Sequence, residues 1–274
     1  MNPNLQALLQ QTDAVMNGQS PRRRGRPAHV GVDLGTAYTV LIALDENQQP
    51  LAGAYQFAQV ARDGLVVDFH GAISLLKRLK QQVEQRLGVE LTHAASAYPP
   101  GVPRSEVRAT ANVLIAAGLE CSDLIDEPTA ANNVLKIGDG VIVDVGGGTT
   151  GIAVVEDGQV IYTADEPTGG AHFTLVLAGG LGLTFEQAEE LKKDPREQPR
   201  LFPVLRPVME KVGSIVRRHV AGRTVKTIYL VGGACAFPGM TQVIEEYTGI
   251  RTVLPGNPLF ITPLGIAMHD RVNR

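Results

Sequence analysis

Two stretches of the chain share an unusual order of apolar and polar positions. In segment 141–159, VIVDVGGGTTGIAVVEDGQ, an apolar run carries Asp144, breaks into three glycines and two threonines, and then resumes as apolar residues. Short apolar runs on either side of a glycine-rich turn are typical of a β-hairpin. The pattern predicts a strand before Asp144, a tight turn, and a return strand over 152–155 that ends in the polar turn 156–159.

Segment 30–50, VGVDLGTAYTVLIALDENQQP, repeats this order. Its Asp33 corresponds to Asp144, which lies 111 residues further on, and each aspartate is followed by Gly and Thr, a second apolar run and a polar turn. A single glycine-rich hairpin could be a surface turn with an exposed aspartate, but two copies indicate a duplicated unit. We therefore predict two similar lobes whose hairpins face each other.

The residue types of these hairpins favour a phosphate ligand together with a metal ion. Glycines let backbone N–H groups come close to a bound group, and successive free N–H groups form an anion-binding concavity. A carboxylate beside that concavity would repel a phosphate unless a cation lay between them, which predicts Mg²⁺. The sequence GxxxxGK[ST] is absent, so the turns are not P-loops.

The remaining pattern predicts helices and lobe boundaries. Apolar residues at 73, 76, 79 and 83 predict a helix over 71–87, and further helices are expected over 103–117, 129–135 and 263–270. Pro128 suits the first helical position, which makes Glu127 an N-cap candidate. The last helix would cross back between the lobes. We assign lobe I to residues 28–140 joined by 262–274, and lobe II to residues 141–261.

Residues 1–27 differ from the rest of the chain. A short amphipathic helix, with Leu5, Leu8, Leu9, Val15 and Met16 near one face, precedes the stretch QSPRRRGRPA, which is typical of a flexible linker. A tethered helix of this kind is a common partner-docking device. The alternatives are a helix folded onto its own domain and a disordered tail.

Composition argues against several classes of function. The chain has 274 residues and a formal net charge of −3, which gives no reason to expect nucleic acid or an anionic membrane as a partner. Cys121 and Cys235 are too few for a disulfide framework, so we expect free thiols and a cytoplasmic location. We expect neither a membrane span nor a secretory signal. The histidines, including His172, show no metal-binding spacing.

The hairpin sequences resemble those of the actin/Hsp70/sugar-kinase ATPase superfamily. GVDLGTAYT and VIVDVGGGTTGIAVV are similar to its two phosphate hairpins, and DEPTAANNVL (126–135) to the segment that opens its first interlobe helix. IYLVGGACAFPGM (228–240) resembles the adenosine-binding turn, and TPLGIAM (262–268) the second interlobe helix. Through DGLVVDFHGA, AYPPG, DEPTAA and ADEPTGGAHFTLVLAGG, the chain looks most similar to an Hsp70-like branch found with bacterial microcompartments of ethanolamine utilisation.

This resemblance implies a fold class and a set of site residues. The fold would be the duplicated, ribonuclease H-like α/β fold of the actin-like ATPases, with ATP or ADP and Mg²⁺ in a cleft between two lobes. The catalytic set would be Asp33, Asp144, Glu127 and Thr149. The aspartates would hold Mg²⁺ through water, and Glu127 would orient the attacking water. The cofactor-binding positions would be Gly35, Thr36, Ala37, Tyr38, Gly146, Gly147, Gly148, Thr149, Gly169, Gly170, Glu189, Lys192, Gly232, Gly233 and Ala234. For Glu189 and Lys192, a solvated helix face is the alternative to a ribose contact.

Two departures from Hsp70 bear on catalysis. Asp33 and Glu127 lie 94 residues apart, too close for the large upper subdomain of Hsp70. Lys77 and Lys80 lie on a predicted helix and match no motif, so we assign no counterpart of the Hsp70 catalytic lysine. Because such cations neutralise the charge that develops in phosphoryl transfer, we expect hydrolysis to be slow or absent.

The resemblance implies an ATP-binding, weakly hydrolysing, chaperone-like accessory protein of ethanolamine utilisation. Its partner would be a protein, either an ethanolamine-metabolising enzyme or a microcompartment component, and its location the cytoplasm or the microcompartment. Two alternatives stay open: a small-molecule kinase of the same superfamily, and a nucleotide-dependent filament or adaptor protein. A kinase needs a base aimed at a substrate hydroxyl, and the sequence offers no separate candidate besides Glu127.

Overall fold

The computed structural model describes residues 3–19, 26–58, 60–62 and 65–271, and its first half forms a lobe around a five-stranded sheet. The elements of this half are α1 (Pro3–Met16), β1 (His29–Leu34), β2 (Tyr38–Leu44), β3 (Pro50–Phe57), β4 (Ala61–Arg62), β5 (Leu65–Val66), α2 (Phe69–Leu87), β6 (His93–Tyr98), α3 (Arg104–Ala116), β7 (Glu120–Asp126) and α4 (Glu127–Leu135). The order β3-β2-β1-β6-β7 combines an antiparallel meander of β1, β2 and β3 with two strands parallel to β1. α2 and α3 contribute Leu76 and Leu114 to its core.

The second half repeats this plan. Its elements are β8 (Gly140–Val145), β9 (Thr150–Glu156), β10 (Gln159–Glu166), α5 (Gly170–Leu181), α6 (Phe185–Lys193), α7 (Gln198–His219), β11 (Thr227–Val231), a 3₁₀ turn (Gly233–Ala236), α8 (Met240–Thr248), β12 (Arg251–Val253), a 3₁₀ turn (Pro258–Phe260) and α9 (Ile261–His269). The strand order is β10-β9-β8-β11-β12, again an antiparallel meander followed by two strands parallel to the first. The predicted duplicated α/β fold is therefore confirmed.

Helices α4 and α9 pack against each other between the two sheets. A Cβ on Gly265 of α9 would clash with the carbonyl oxygen of Ala130 in α4, and a Cβ on Gly31 of β1 would lie 2.5 Å from the backbone nitrogen of Ala267 in α9. Only a residue without a side chain permits such close approach. The interlobe core around these helices includes Ile42 of lobe I, Ile142 of lobe II and Leu264 of α9.

All four predicted helix starts differ from the observed ones by one or two residues, and for α2 and α4 the reason is an aspartate that caps the helix. α2 begins at Phe69, since Asp68 Oδ1 accepts a hydrogen bond from the Gly71 backbone nitrogen at 2.8 Å. The prediction of Glu127 as the N-cap of α4 is wrong. Asp126 is the N-cap, because its Oδ1 accepts a hydrogen bond from the Thr129 backbone nitrogen at 3.0 Å. Glu127 thereby becomes the first residue of the helix.

The N-terminal helix α1 packs on its own domain, which was one of the alternatives for this segment. Leu9, Val15 and Met16 are buried, and the helix is followed by Gly18 with a φ of 80°. Most of the Arg-rich stretch, residues 20–25, lies outside the described residues.

The described residues also include both cysteines. Cys121 and Cys235 are free thiols, and Cys235 is buried. Among the helices of the described segments, none is both long enough and apolar enough to cross a membrane.

Candidate functional site

A cleft of about 390 Å³ lies between the two lobes, and the hairpin turns of both lobes line it. The sequence-predicted residues in its lining are Asp33, Gly35, Thr36, Ala37, Tyr38, Glu127, Asp144, Gly146, Gly147, Gly148, Thr149, Gly170, Glu189, Lys192, Gly232, Gly233 and Ala234. These residues come from segments spread over about 200 positions of sequence, and the duplicated fold brings them to one place.

Gly169 is the predicted cofactor contact that the structure does not place in the lining. It lies behind the second turn, where a Cβ would be 2.7 Å from the carbonyl carbon of Gly148. The next two backbone nitrogens, of Gly170 and Ala171, donate to the carbonyl oxygens of Gly146 and Gly147 at 2.9 and 2.8 Å. Gly169 therefore supports the turn, and Gly170 faces the cleft.

The two turns touch each other across the cleft. A Cβ on Gly147 in lobe II would lie 2.7 Å from the Cβ of Ala37 in lobe I. Within the second turn, the Gly146 nitrogen donates to the Thr149 carbonyl oxygen at 3.0 Å, which closes the loop around the other backbone N–H groups. The small residues thus let the lobes close while backbone donors line the space between them.

Three carboxylates share the floor of the cleft. Burial and the neighbouring Asp144 raise the pKa of Asp33 to about 7. Burial also raises the pKa of Asp144, and a hydrogen bond from Thr262 Oγ1 to its Oδ2, 2.7 Å long, lowers that pKa in part. Burial, followed by the charges of Asp33 and Asp144, raises the pKa of Glu127 well above its ordinary value. Buried like charges at this density favour a site that takes a cation.

This arrangement fits a hydrated Mg²⁺ bound together with phosphates. Mg²⁺ in nucleotide sites is held by one or two carboxylates, with waters and phosphate oxygens as the other ligands. Asp33 and Asp144 supply two carboxylates, and the described residues contain no group of three His, Cys, Asp or Glu side chains that could enclose a metal ion alone. The glycine turns supply backbone donors for anionic oxygens.

Glu189 and Lys192 form a buried pair at the lobe II wall, not a solvated helix face. Lys192 Nζ contacts Glu189 Oε2 and also donates to Thr174 Oγ1 at 2.8 Å and to the Gly170 carbonyl oxygen at 3.1 Å. Although burial raises the pKa of Glu189, the charge of Lys192 and hydrogen bonds from Lys192 and Thr174 lower it overall. These contacts favour the ionised form of Glu189, although burial lowers the pKa of Lys192.

The predicted adenosine-binding turn also requires a glycine. Gly232 has a φ of 87°, and a Cβ there would clash with the Asp144 carboxylate. Its backbone nitrogen donates to the Pro258 carbonyl oxygen at 3.0 Å. The turn is thus fitted between the lobe II aspartate and the segment that leads into α9.

Sequence reasoning missed four polar residues of this region. Thr262 hydrogen-bonds Asp144, Asn257 lines the cleft, and Lys193 lies 4.2 Å from the ring centre of Phe57 in lobe I. Asp165, whose charge contributes to the raised pKa of Glu127, stands four residues before the Gly169–Gly170 turn. The position of Asp165, just ahead of a third glycine turn, was a detectable signal. The other three act through contacts between distant segments.

Comparisons with known proteins agree with this architecture. Residues 130–262 match the family model described as type IV pilus assembly protein PilM, and residues 53–177 match the model described as MreB/Mbl protein. The solved PilM–PilN type IV pilus biogenesis complex matches with a TM-score of 0.75 at 16% identity, covering 91% of this chain and 99% of that chain, which shows the fold alone. The two duplicated lobes and the cleft between them place the protein in the class that has the actin-like ATPase fold.

Two more similar proteins identify the family within that class. Ethanolamine utilization protein EutJ of Salmonella typhimurium is 43% identical over 264 residues, which are 96% of this chain and 92% of that protein. The crystal structure of EutJ from Carboxydothermus hydrogenoformans matches with a TM-score of 0.92 at 43% identity, covering 97% of this chain and 98% of that chain. The chain belongs to the EutJ family.

Proposed function

We propose that the protein binds ATP or ADP with Mg²⁺ in the interlobe cleft and hydrolyses ATP slowly at most. The observation that supports this most strongly is the pair of duplicated carboxylate–glycine turns, which face each other and enclose Asp33, Asp144 and Glu127. Each feature alone has a structural explanation. Together they supply backbone donors for phosphates and carboxylates for a metal ion in one cleft.

Each part of the cleft has a distinct role in this proposal. The two turns bind the phosphates, and Asp33 and Asp144 hold Mg²⁺ through water. Gly232, Gly233 and Ala234 lie along the adenosine, while the Glu189–Lys192 pair contacts the ribose. Bound Mg²⁺ would neutralise phosphate charge. Glu127, the first residue of α4, is the carboxylate that would orient the attacking water.

The charges of the cleft argue for slow turnover. Burial, followed by the charges of Asp33 and Asp144, raises the pKa of Glu127, so a positive charge in the cleft is needed to favour its ionised form. The cations in the described cleft lining are Lys192 and Lys193, both from α6 of lobe II, and Lys192 is already paired with Glu189. Little positive charge is therefore free to stabilise the transferred phosphoryl group.

Nucleotide would act as a switch for a protein partner. A ligand drives closure of two lobes only by binding the closed arrangement more tightly, and closure changes the surface offered to a partner. The EutJ relatives are named for ethanolamine utilisation, and the PilM relative was solved in complex with another protein, PilN. We therefore propose a cytoplasmic, chaperone-like accessory protein that acts on an ethanolamine-metabolising enzyme or a microcompartment component.

The test is isothermal titration calorimetry of the full chain with Mg²⁺–ATP and Mg²⁺–ADP, followed by measurement of phosphate release. Asp144→Asn removes one metal-holding charge from the cleft. Asp157→Asn is the matched control, because Asp157 lies in the turn that joins β9 and β10, at the end of these strands away from the cleft. Asparagine also adopts the φ of 50° found at this position.

We expect micromolar binding by the wild type and by Asp157→Asn, and a loss of about 10- to 100-fold in Asp144→Asn, the range for removal of a group that holds a metal ion through its bound water. Phosphate release should be slow in the wild type. A folded wild type that binds neither nucleotide would overturn the proposal, and phosphorylation of a small molecule would favour the kinase alternative instead.

A further inference from the structure

The N-terminal helix α1 contacts both lobes. On the lobe I side, Gln11 Nε2 donates to the Pro50 carbonyl oxygen at 3.0 Å, and the Met16 sulfur fills the space over Gly53 of β3 that a side chain would otherwise occupy. On the lobe II side, Leu9 lies against Gly256, where a Cβ would be only 2.9 Å from Leu9 Cδ1. α1 thus lies in a groove between the lobes, where Gly53 and Gly256 leave space for its side chains. We call this groove the seat of α1.

A hydrogen-bonded path leads from α1 to the cleft. Asp13 Oδ1 accepts a hydrogen bond from Asn257 Nδ2 at 2.8 Å, and Asn257 is part of the cleft lining. Asn257 Oδ1 in turn accepts a hydrogen bond from the backbone nitrogen of Leu259, another lining residue, at 3.2 Å. The segment between them accepts the hydrogen bond from Gly232 of the predicted adenosine-binding turn. One face of segment 256–259 therefore meets α1, and the other meets the cleft.

The stability of α1 depends on this seat. The helix has 14 residues, and isolated helices of that length are marginal in water. Leu9, Val15 and Met16 are buried to the same degree as the core of the lobes, being 5%, 1% and 3% exposed. Gln11 and Met16 contact β3, whereas Leu9 and Asp13 contact segment 256–259. A change in the distance between β3 and this segment would therefore break one of the two sets of contacts.

We propose that α1 is a clasp, a helix that bridges the two lobes, and that its docking is thermodynamically coupled to the binding of nucleotide in the cleft. This inference rests on the proposed function, because it takes Mg²⁺–nucleotide as the ligand. Nucleotide that holds segment 256–259 and the two lobes in place preserves the seat of α1, and docked α1 braces the wall that contacts the nucleotide. Coupling between two sites is reciprocal. A protein that bound the undocked α1 would therefore lower the affinity of the cleft for nucleotide by the same factor.

The first experiment measures Mg²⁺–ADP affinity by calorimetry in helix variants of the full chain. Leu9→Ser and Asp13→Ala remove the apolar and the polar contact with segment 256–259. Gln10→Ser is the control on the exposed face of the same helix. We expect affinity to fall by about 5- to 30-fold in the first two variants, the range of ordinary coupling between sites, and to stay unchanged in the control. Asp13→Asn keeps an acceptor oxygen for Asn257 and should recover most of the affinity lost in Asp13→Ala.

The second experiment reads the coupling in the opposite direction, in the unmodified protein. Hydrogen exchange of the α1 amides should slow when Mg²⁺–ADP saturates the cleft, by the same factor that the variants lose in affinity. Wild-type affinity in Leu9→Ser and Asp13→Ala, with unchanged α1 exchange, would overturn the clasp and leave the nucleotide site intact. Absence of binding by the folded wild type would overturn both proposals.

Discussion

The hairpins of lobe I and lobe II share one plan, but their electrostatics differ. In lobe II, Asp144 accepts a hydrogen bond from Thr262, and helix α6 brings Lys192 and Lys193 to the cleft. In lobe I, burial and the charge of Asp144 raise the pKa of Asp33 to about 7. The duplication thus supplies two buried aspartates, while the surroundings make lobe II the cationic side and leave the pKa of Asp33 in lobe I raised to about 7.

The first strands of the two lobes differ where they meet the interlobe helices. β1 carries Gly31 against the backbone of α9, whereas the equivalent position of β8, 111 residues later, is Ile142 in the interlobe core. α9 therefore packs backbone to backbone on β1 of lobe I, whereas β8 of lobe II presents a side chain to the interlobe core. The equivalent position of the duplicated strand thus serves close backbone packing in lobe I and side-chain packing in lobe II.

Gly31→Ala should have the largest effect, because it removes the close approach that distinguishes lobe I. The new Cβ would lie 2.5 Å from the Ala267 nitrogen, so α9 must shift, and we expect the free energy of unfolding to fall by about 3 kcal/mol or more. Gly180→Ala in α5 is the control, since its Cβ meets nothing within 4 Å and should stabilise by about 0.5–1 kcal/mol. Urea unfolding measures both. Equal stability of the two variants would contradict close packing of α9 on lobe I.

Asp33→Asn should change how the free energy of unfolding depends on pH, which tests the electrostatic difference between the lobes. Between the unfolded pKa of 3.8 and the folded pKa of about 7, the native state keeps the Asp33 proton and the unfolded state does not. Stability of the nucleotide-free protein must therefore fall as pH rises through this window. Asn cannot ionise, so the variant should match the wild type near pH 4 and be more stable near pH 8, by on the order of 4 kcal/mol.

Thermal unfolding at the two pH values, without Mg²⁺ or nucleotide, measures this effect. Saturating Mg²⁺–ADP should reverse the ranking at pH 8, because only the wild type then has both aspartates to hold the hydrated metal ion. Identical pH profiles for variant and wild type would show that Asp33 does not titrate in this window.

Thr262→Val should weaken the site by removing a contact to the aspartate of lobe II. It removes the 2.7 Å hydrogen bond to Asp144, and a hydrogen bond to a charged group contributes about 1.5–3 kcal/mol. We expect Mg²⁺–ADP affinity to fall by about tenfold, measured by calorimetry. Thr163→Val on the exposed face of β10 makes the same change away from the cleft and should bind normally. A normal affinity in Thr262→Val would mean that Asp144 is positioned without Thr262.

Lys193→Met should have the smallest effect. The Lys193 ammonium lies 4.2 Å from the ring centre of Phe57 and 5.7 Å from that of Tyr38, so it joins the lobes at the cleft. A cation–π contact of this kind contributes about 1 kcal/mol, which corresponds to roughly fivefold faster nucleotide release. Stopped-flow displacement of a fluorescent ADP analogue measures the rate. Lys77→Met, on the exposed face of α2, is the control, and equal release from both variants would show that Lys193 does not hold the cleft closed.

Much of the fold and of the cleft could be predicted because their signals are local. A strand, an aspartate and a glycine turn occupy consecutive positions, so each copy predicted a hairpin, and the repeat of the pattern predicted the two lobes. The cap of α4 was wrong by one residue, because Asp126 and Glu127 are both acceptors and only the folded backbone decides which one reaches the Thr129 nitrogen. Gly169 was predicted to contact the cofactor, whereas its backbone supports the second turn from behind.

The sequence by itself determined the duplicated hairpins, the Asp33–Asp144 pair and the glycines of the two hairpin turns, because each depends on residue types at short, regular spacing. The tertiary structure decided what those carboxylates experience. The raised pKa of Glu127, the hydrogen bond from Thr262 and the position of Lys193 over Phe57 depend on burial and on approach between segments far apart in the chain. The seat of α1 also depends on tertiary structure, since Asp13 and Asn257 lie 244 positions apart and form a hydrogen bond only in the folded protein.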